Sequence, residues 1–224
     1  MRLIVFGANS STGRLVTAMA MNAGHTVTAI TRRPAEFPIS DRRVQVADAD
    51  VMDADAVDWV VRDHDAVLSA IGAPLSPKPV TVCSQAAYNV VKAMMNHGVR
   101  RLLCVGSVGL DAADLSPAGL LCQRMIRPVV LACGRAVQQD VRRMENIVRE
   151  TGLDWTLFRP GRLVTRSDVT DYRITADPAP CALTSRLDLA HALVREVTHR
   201  DHVGEAVHVA TCRAGRVPSI HRPS

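Results

Sequence analysis

Short apolar runs alternate along the chain with longer segments in which apolar residues recur at helical spacing. Runs rich in valine, leucine and isoleucine and bounded by glycine or polar residues are typical of β-strands. The predicted strands are residues 3–6, 26–31, 44–47, 66–71, 102–107, 155–158 and 206–209. Stretches long enough for the crossover helices that parallel strands require separate the earlier strands of this series.

Helical periodicity appears within these crossovers and again after the strand at 102–107. One helix is predicted over residues 14–23, where Gly24 ends it, and another over 84–97, where Gly98 does so. A further helix ends before Gly152, and its apolar face is marked by Val137, Val141, Met144 and Val148. This alternation predicts an α/β fold, a Rossmann-type doubly wound parallel sheet that binds ligands at the carboxyl ends of its strands.

A single domain is expected, because the chain shows no internal repeat and no linker. It spans residues 1–211, and residues 212–224 lack an apolar period and are expected to form a loose tail. Two segments do not fit the predicted sheet: residues 111–134, where Pro128 breaks an apolar helical patch, and the turn-rich residues 162–180. Both are expected above the carboxyl edge of the sheet, where they would build a substrate pocket.

Composition narrows the function classes. The net charge is +5 and the isoelectric point about 9.1, but the basic residues are scattered and aromatic residues make up only 3%. No helix-turn-helix, zinc-finger or aromatic-rich basic pattern is present, so no nucleic-acid partner is expected. No apolar run approaches the ~20 residues that span a bilayer, and the strand-like start disfavours a signal peptide. A cytoplasmic protein without membrane association is predicted.

The cysteines and histidines suggest no metal or nucleophilic chemistry. The six cysteines form no C-x-x-C pair and no cluster with histidine at metal-like spacing, so reduced thiols and no metal site are expected. Several lie in apolar surroundings, where a cysteine behaves as a small core residue. The histidines at positions 25, 64, 97 and 191 have no nucleophile nearby, which predicts structural or solvated roles.

The stretch FGANSSTGR, directly after the first strand, predicts a phosphate-binding loop that opens a helix. Backbone N–H groups in such a loop approach a pyrophosphate at the helix N-terminus. Gly7 would allow the tight turn and Gly13 the close packing of the helix, while Ser10 stands where a third glycine is usual. The other polar residues assigned to the cofactor here are Asn9, Ser11 and Thr12.

The end of the second strand predicts which nucleotide is bound. A carboxylate at that position suits the ribose 2′-hydroxyl of NAD(H), whereas arginine suits the 2′-phosphate of NADP(H). The chain reads AITRRP, with Arg32 and Arg33 about 20 residues beyond Gly13, and Glu36 comes only after Pro34. The paired guanidinium groups favour NADP(H) as the cofactor.

At this point the chain resembles the atypical short-chain dehydrogenase/reductases of the NmrA-like group, and within it the flavin and biliverdin IXβ reductases. The resemblance covers about residues 1 to 210. Its motifs are GANSSTG, TRRP, ADVMD, SAIGAPLSP, HGVRRLLCVGSVG, RRMENIVRETGLDWTLFRPGRL and LTSRLDLAHALV. The resemblance implies that further cofactor contacts come from Asp50, Val51, Ala70, Ile71, Gly72 and Ser107.

Catalysis is not expected to use a tyrosine–lysine pair. Short-chain dehydrogenases carry Tyr-x-x-x-Lys on the helix after the fifth strand, where this chain reads QQDVRRME. The matching spacing of Tyr88 and Lys92 occurs before that strand and is interpreted as incidental. The catalytic candidates are instead Ser107 at the tip of the fifth strand and Arg162, which falls where the related reductases have a histidine proposed as proton donor. Tyr172 is the candidate substrate contact.

The predicted function is NADPH-dependent hydride transfer to a planar conjugated small molecule, such as a flavin, a quinone or a tetrapyrrole-like or polyketide-like compound, in specialised metabolism. Two alternatives stay open. The missing tyrosine–lysine pair also suits a non-catalytic NADP(H)-binding redox sensor, as NmrA-like proteins can be. Bound nucleotide could also serve a redox-neutral epimerase, dehydratase or cyclase.

Overall fold

The structure is a computed structural model that describes residues 1–73, 79–106, 127–177 and 183–212, with the backbone alone for residues 127–133. Strands and helices alternate through most of these residues. The elements are β1 (Arg2–Phe6), α1 (Ser11–Asn22), β2 (Thr26–Thr31), a 3-10 helix (Pro34–Glu36), β3 (Val44–Asp48), α2 (Ala54–Val61), β4 (Ala66–Ser69), α3 (Val82–Asn96), β5 (Arg101–Val105), α4 (Arg127–Arg149), β6 (Asp154–Pro160), β7 (Arg162–Val164), β8 (Arg173–Thr175), β9 (Leu183–Ser185), α5 (Arg186–His199) and β10 (Glu205–Ala210).

The main sheet has eight strands in the order β3-β2-β1-β4-β5-β6-β10-β8. All neighbours are parallel except β8, which runs antiparallel to β10. The chain winds outward from β1 through β2 to β3 and then returns to β4 on the other side of β1. This reversal opens a crevice at the carboxyl ends of β1 and β4, the usual ligand site of such sheets. The predicted Rossmann-type fold is confirmed.

Helices cover both faces of the sheet because successive strand residues point to opposite sides. On β1, Ile4 and Phe6 belong to one core with apolar residues of α2, α3 and α4. Leu3 and Val5 belong to a second core with apolar residues of α1 and α5. The four β1 residues are fully buried, which explains why the strand reads as a continuous apolar run rather than an alternating one.

A buried ion pair joins the sheet to α5 at the amino edge, away from the crevice. Arg101, the first residue of β5, is 2% exposed and donates to the Glu196 carboxylate at 2.9 Å. Its other donors reach the carbonyl of Asp154 at 2.8 Å and the hydroxyl of Thr156 at 2.9 Å. Removing one partner of such a pair leaves an uncompensated buried charge. We assign this pair a structural role.

The cysteines in the described part of the chain are free thiols, namely Cys83, Cys104 and Cys212. Burial raises the pKa of the Cys83 and Cys104 thiols to about 12, so both stay protonated at neutral pH. The prediction of reduced core cysteines is confirmed for these two residues. Cys122, Cys133 and Cys181 lie outside the residues whose side chains are described.

Two expectations about the segments outside the sheet are corrected. Pro128 is the second residue of α4 and does not break a helix; a proline there lacks only an N–H that the first turn leaves unpaired anyway. Residues 173–175 form β8 and extend the main sheet, so the segment 162–180 does not lie wholly outside it. The rest of the predicted pocket segment, residues 111–126, and the predicted tail from residue 213 lie outside the described residues.

Candidate cofactor site

The connection between β1 and α1 lies at the carboxyl edge of the sheet, beside the end of β4. Gly7 has a φ of +73°, a left-handed conformation that residues with a Cβ rarely adopt. A Cβ on Gly7 would lie 2.7 Å from the carbonyl oxygen of Ala70, too close for any side chain. The Ala8 N–H donates to the Ile30 carbonyl at 3.2 Å, which keeps the loop attached to β2. This turn requires glycine at position 7.

The first turn of α1 packs directly against the same loop. A Cβ on Gly13 would lie 2.2 Å from the carbonyl oxygen of Gly7 and 2.8 Å from the Cα of Ala8. Both neighbours are backbone atoms, so neither could move aside without opening the loop. Glycine at position 13 therefore brings the helix N-terminus close to the crevice.

Ser10 is the N-cap of α1 and not merely a replacement for glycine. Its hydroxyl oxygen accepts from the Gly13 N–H at 3.0 Å and donates to the Ala70 carbonyl at 3.4 Å. Serine is among the preferred N-cap residues because its oxygen satisfies one of the unpaired N–H groups of the first turn. The serine thus ties the loop to both α1 and β4.

Ser10 caps only part of the first turn of α1. The N–H groups of Ser11 and Thr12 have no acceptor among the described residues. Both belong to the first turn, where the helix dipole favours negative charge. Arg14 lies next to them, and its Nε and Nη2 donate to the Asn9 side-chain oxygen at 2.9 and 2.6 Å. Arg14 was not singled out from the sequence, although it ends the loop motif.

The end of β2 carries the two predicted 2′-phosphate ligands. The side chains of Arg32 and Arg33 are both exposed at the carboxyl edge. The Arg33 N–H donates to the hydroxyl of the buried Thr31 at 3.2 Å, which holds the turn against the strand. The Arg33 guanidinium contacts the Glu36 carboxylate at 3.0 Å. One arginine of the pair therefore already has a carboxylate partner.

The turn after β3 is held by its own side chains. Asp50 accepts from the Met52 N–H at 3.0 Å, and Asp53 caps α2 by accepting from the N–H groups of its first turn. The carbonyl of Val51 accepts from the Asn89 side-chain amide at 2.8 Å, and Asn89 is buried. Asn89 had no signal in the sequence, because it acts on a turn 38 residues away.

The segment after β4 completes the crevice wall. Ala70 is buried beneath the glycine loop, Ile71 packs partly against the core shared with α3, and Gly72 is exposed with open space where a Cβ would lie. The positions that the sequence assigns to the cofactor therefore meet at one edge of the sheet. Ser107, the remaining one, lies outside the described residues.

The N-terminus of α3 faces the same edge, but its first N–H groups already donate to a carboxylate of the chain. The Asp140 carboxylate, on α4, accepts from the N–H groups of Cys83 and Ser84 at 2.7 and 3.2 Å and from the Ser84 hydroxyl. Asp140 is fully buried. Its carboxylate takes the place that a bound anion could occupy. Of the starts of α1, α2 and α3, that of α1 keeps N–H groups without an acceptor among the described residues.

The ends of β5 and β6 carry a buried charged group. Glu145, on α4 and 3% exposed, pairs with the guanidinium of Arg159 and also with Arg149 at 2.9 Å. A Cβ on Gly106 would lie 2.6 Å from the Glu145 carboxylate oxygen. Hydrogen bonding to this carboxylate raises the pKa of Arg159. The pair anchors α4 to the tips of both strands.

Arg162 lies on β7, and Tyr172 lies directly before β8. Arg162 is exposed at the start of β7 and pairs in register with Leu183 of β9. Tyr172 is half-buried, and its hydroxyl hydrogen-bonds the His191 Nδ1 of α5 at 2.7 Å. Burial raises the pKa of this phenol, so it is protonated at neutral pH. The roles of Arg162 and Tyr172 stay predictions.

The side chains described on α4 supply no tyrosine–lysine pair. The inward positions of the stretch 138–145 hold Asp140, Val141, Met144 and Glu145. Tyr88 and Lys92 are exposed on α3. Within the described ranges there is no group of His, Cys, Asp or Glu that could hold a metal ion. Those ranges also contain no helix long and apolar enough to cross a membrane.

Most of the chain matches a known protein family. Residues 7–200 match the sequence profile of a family described as NAD(P)H-binding. A (4-alkanoyl-5-oxo-2,5-dihydrofuran-3-yl)methyl phosphate reductase of Streptomyces griseus is 24% identical over 216 residues, covering 93% of this chain and 67% of the relative.

Two solved structures have the same fold. A short-chain dehydrogenase/reductase of Veillonella parvula in complex with NADP has a TM-score of 0.69 at 20% identity, covering 93% of this chain and 94% of that one. The anaerobilin reductase ChuY of Escherichia coli O157:H7 has a TM-score of 0.70 at 17% identity, covering 97% of this chain and 100% of that one.

Proposed function

The chain belongs to the family of NAD(P)H-binding proteins, and from this premise we propose that it is an NADPH-dependent reductase of a planar conjugated acceptor. The observation that carries the proposal is the glycine loop, where two N–H groups without an acceptor in the described part of the chain lie at the start of α1, beside the end of β4. Such a loop suits a dinucleotide pyrophosphate, whose negative charge the helix N-terminus stabilises. A flavin, a quinone and a tetrapyrrole-like or polyketide-like compound are the acceptor classes.

The proposed preference for NADPH rests on the arginines after β2. The guanidinium groups of Arg32 and Arg33 are exposed at the carboxyl edge, where a 2′-phosphate can receive two parallel hydrogen bonds from one side chain. A carboxylate directly at the end of β2, which would suit a 2′-hydroxyl, is lacking. The Veillonella protein of similar fold is bound to NADP.

The chain's own residues would position the reactants rather than supply a strong acid. When bound, NADPH supplies the hydride. The described part of α4 brings no tyrosine to this edge, so the acceptor must itself be electrophilic and take its proton from solvent or a weak donor such as Ser107. The Arg162 guanidinium has hydrogen-bond donors and no acceptor, so its proposed role is to orient an anionic acceptor.

The names of two related proteins support this acceptor class. The Streptomyces relative is a reductase of an oxo-dihydrofuran that bears an alkanoyl group and a phosphate ester, and ChuY is an anaerobilin reductase. The substrate named for the Streptomyces relative has carbonyl groups and an unsaturated ring. Its phosphate is an anion, and Arg162 would suit an anionic acceptor. What the two names share, and what we extend to this chain, is reductase activity.

The test is a fluorescence titration with NADPH and NADH, followed by the loss of NADPH absorbance after FMN or a quinone is added. We expect tight NADPH binding and acceptor-dependent oxidation. Gly13→Ala should weaken NADPH binding about ten-fold or more, equivalent to at least ~1.4 kcal/mol, because its Cβ would meet the Gly7 carbonyl. Gly152→Ala, at a glycine with open space around it, is the matched control.

Other outcomes would change the assignment. Tight NADPH binding without turnover across a broad acceptor panel would favour the redox sensor or the redox-neutral enzyme. The absence of nucleotide binding in the unmodified chain would contradict the proposal itself.

A further inference from the structure

The ion pair between Arg33 and Glu36 lies where a 2′-phosphate is proposed to bind. The guanidinium and the carboxylate approach to 3.0 Å, while their side chains remain 70% and 55% exposed. Arg32 is also exposed, but no carboxylate lies within ion-pair distance of it in the described part of the chain. The two neighbouring arginines therefore differ in one respect: Arg33 has an anionic partner within the chain.

The backbone after β2 builds this pair. Pro34 starts a 3-10 helix. The Glu36 N–H donates to the Arg33 carbonyl at 3.1 Å, and the Phe37 N–H donates to the Pro34 carbonyl at 3.1 Å. In a 3-10 helix residues three apart eclipse one another, so Glu36 stacks over Arg33. The Thr31 hydroxyl holds the Arg33 N–H from the strand side. The turn itself places a carboxylate beside the cation.

We propose that Glu36 is a specificity-determining residue that competes with the cofactor 2′-phosphate for Arg33. This inference rests on the proposed function. The carboxylate and the phosphate are both anionic acceptors of the same guanidinium donors, so binding of NADPH must displace Glu36 or share Arg33 with it. Binding of NADH involves no 2′-phosphate and leaves the pair intact. Glu36 therefore narrows the margin by which the chain prefers NADPH over NADH.

The size of the effect follows from the exposure of the pair. Exposed ion pairs contribute little because water screens them, and the competition should change NADPH affinity about two- to five-fold. The same exposure makes the effect dependent on salt concentration, and it should shrink as ionic strength rises.

The experiment is a double-mutant cycle on binding. Dissociation constants for NADPH and for NADH are measured by fluorescence titration for the unmodified chain, Glu36→Gln, Arg33→Gln and the double variant. We expect Glu36→Gln to tighten NADPH binding about two- to five-fold and to leave NADH binding within about two-fold. In the Arg33→Gln background the same change should have no effect, because the group it competes for is gone.

A charge-matched control separates this mechanism from a general field effect. Glu150 is exposed just beyond the end of α4, at the opposite edge of the sheet, and Glu150→Gln changes the net charge equally. We expect Glu150→Gln to leave both dissociation constants unchanged. If it tightened NADPH binding as much as Glu36→Gln does, the proposal would be wrong.

The remaining outcomes distinguish the two proposals. If Arg33→Gln weakens NADPH binding but Glu36→Gln leaves it unchanged, the competition is absent and the proposed function stands. If Glu36→Gln tightens NADPH binding equally with and without Arg33, Glu36 acts on another group and the inference fails. If the unmodified chain binds no NADPH, both proposals fail together.

Discussion

At the scale of single residues, the loop after β1 is decided by steric contact. A Cβ added to Gly7 or to Gly13 would lie within 2.9 Å of backbone atoms, whereas position 10 admits a side chain. The hydroxyl of Ser10 uses that space to cap α1 and to bridge to Ala70. The missing third glycine is therefore not a defect, since the middle position supports the loop through a hydrogen bond.

Replacing Ser10 measures what its hydroxyl contributes to stability. Ser10→Ala removes the cap and should destabilise the fold by about 1 kcal/mol, or about 2–4 °C in Tm for a chain of this size. Ser10→Gly restores the three-glycine spacing and should cost only a few tenths of that. Thermal unfolding with and without NADPH measures both variants. If Ser10→Ala had the same Tm as the unmodified chain, the capping bond would contribute nothing to stability.

At the scale of elements, the helix starts at the carboxyl edge are used differently. Asp53 is the N-cap of α2. Ser10 is the N-cap of α1, where the N–H groups of Ser11 and Thr12 have no acceptor in the part of the chain that the structure describes. The start of α3 has no cap from its own N-cap residue, Thr81, and is instead satisfied by Asp140. This bond crosses 57 residues of sequence and joins α3 to α4. One carboxylate both completes a helix and fixes its neighbour.

Removal of the Asp140 carboxylate should destabilise the fold. Asp140→Ala leaves the buried N–H groups of Cys83 and Ser84 without an acceptor, and we expect a loss of about 2–4 kcal/mol in the free energy of unfolding. Asp140→Asn keeps one acceptor oxygen and should lose roughly half as much. Urea denaturation measures both. Gln139→Ala, at the exposed neighbouring position, is the control and should change stability by less than about 0.5 kcal/mol.

At the scale of the whole molecule, burial of two imidazoles links stability to pH. His25 and His208 are 8% and 6% exposed. Burial lowers the pKa of both below the ordinary value of 6.5; the N-terminal ammonium adds to the effect at His25, and Arg159 adds to it at His208. Glu145 and Asp177 act in the opposite direction at His208. The folded chain therefore takes up these protons less readily than the unfolded chain does.

The direction of the pH dependence follows from that difference. Well above pH ~6.5 both states carry neutral imidazoles, and the stability is fully present. As the pH falls through this value the unfolded chain binds protons first, so the free energy of unfolding should decrease between about pH 7 and pH 5. His208→Gln should flatten part of this slope, and a second change at His25 should flatten it further. An unchanged slope in urea titrations of His208→Gln would contradict the assignment.

The order of the longer strands and the glycine loop after β1 could be predicted from the sequence. The strand 26–31 was predicted with its observed bounds, and the glycine loop was predicted with its helix. The short strand β8 was missed because an edge strand of three residues has too little periodicity to stand out from a turn-rich segment. Pro128 was misread for a related reason, since a proline that breaks a helix and one that begins it look alike in a single sequence.

By itself, the sequence determined the fold class, the glycine loop after β1 and the pair of arginines after β2. The spacing of apolar residues, the glycines that end elements and the charge at a strand end are all local properties of the sequence. Only the tertiary structure decided that Asp140 fills the start of α3, that Glu145 holds Arg159, and that Asn89 fastens the turn at Val51. These contacts join residues that only packing of the helices onto the sheet brings together. A buried polar group needs a hydrogen-bond partner, and that partner can lie far away in the sequence. A local sequence pattern therefore does not predict which residue it is.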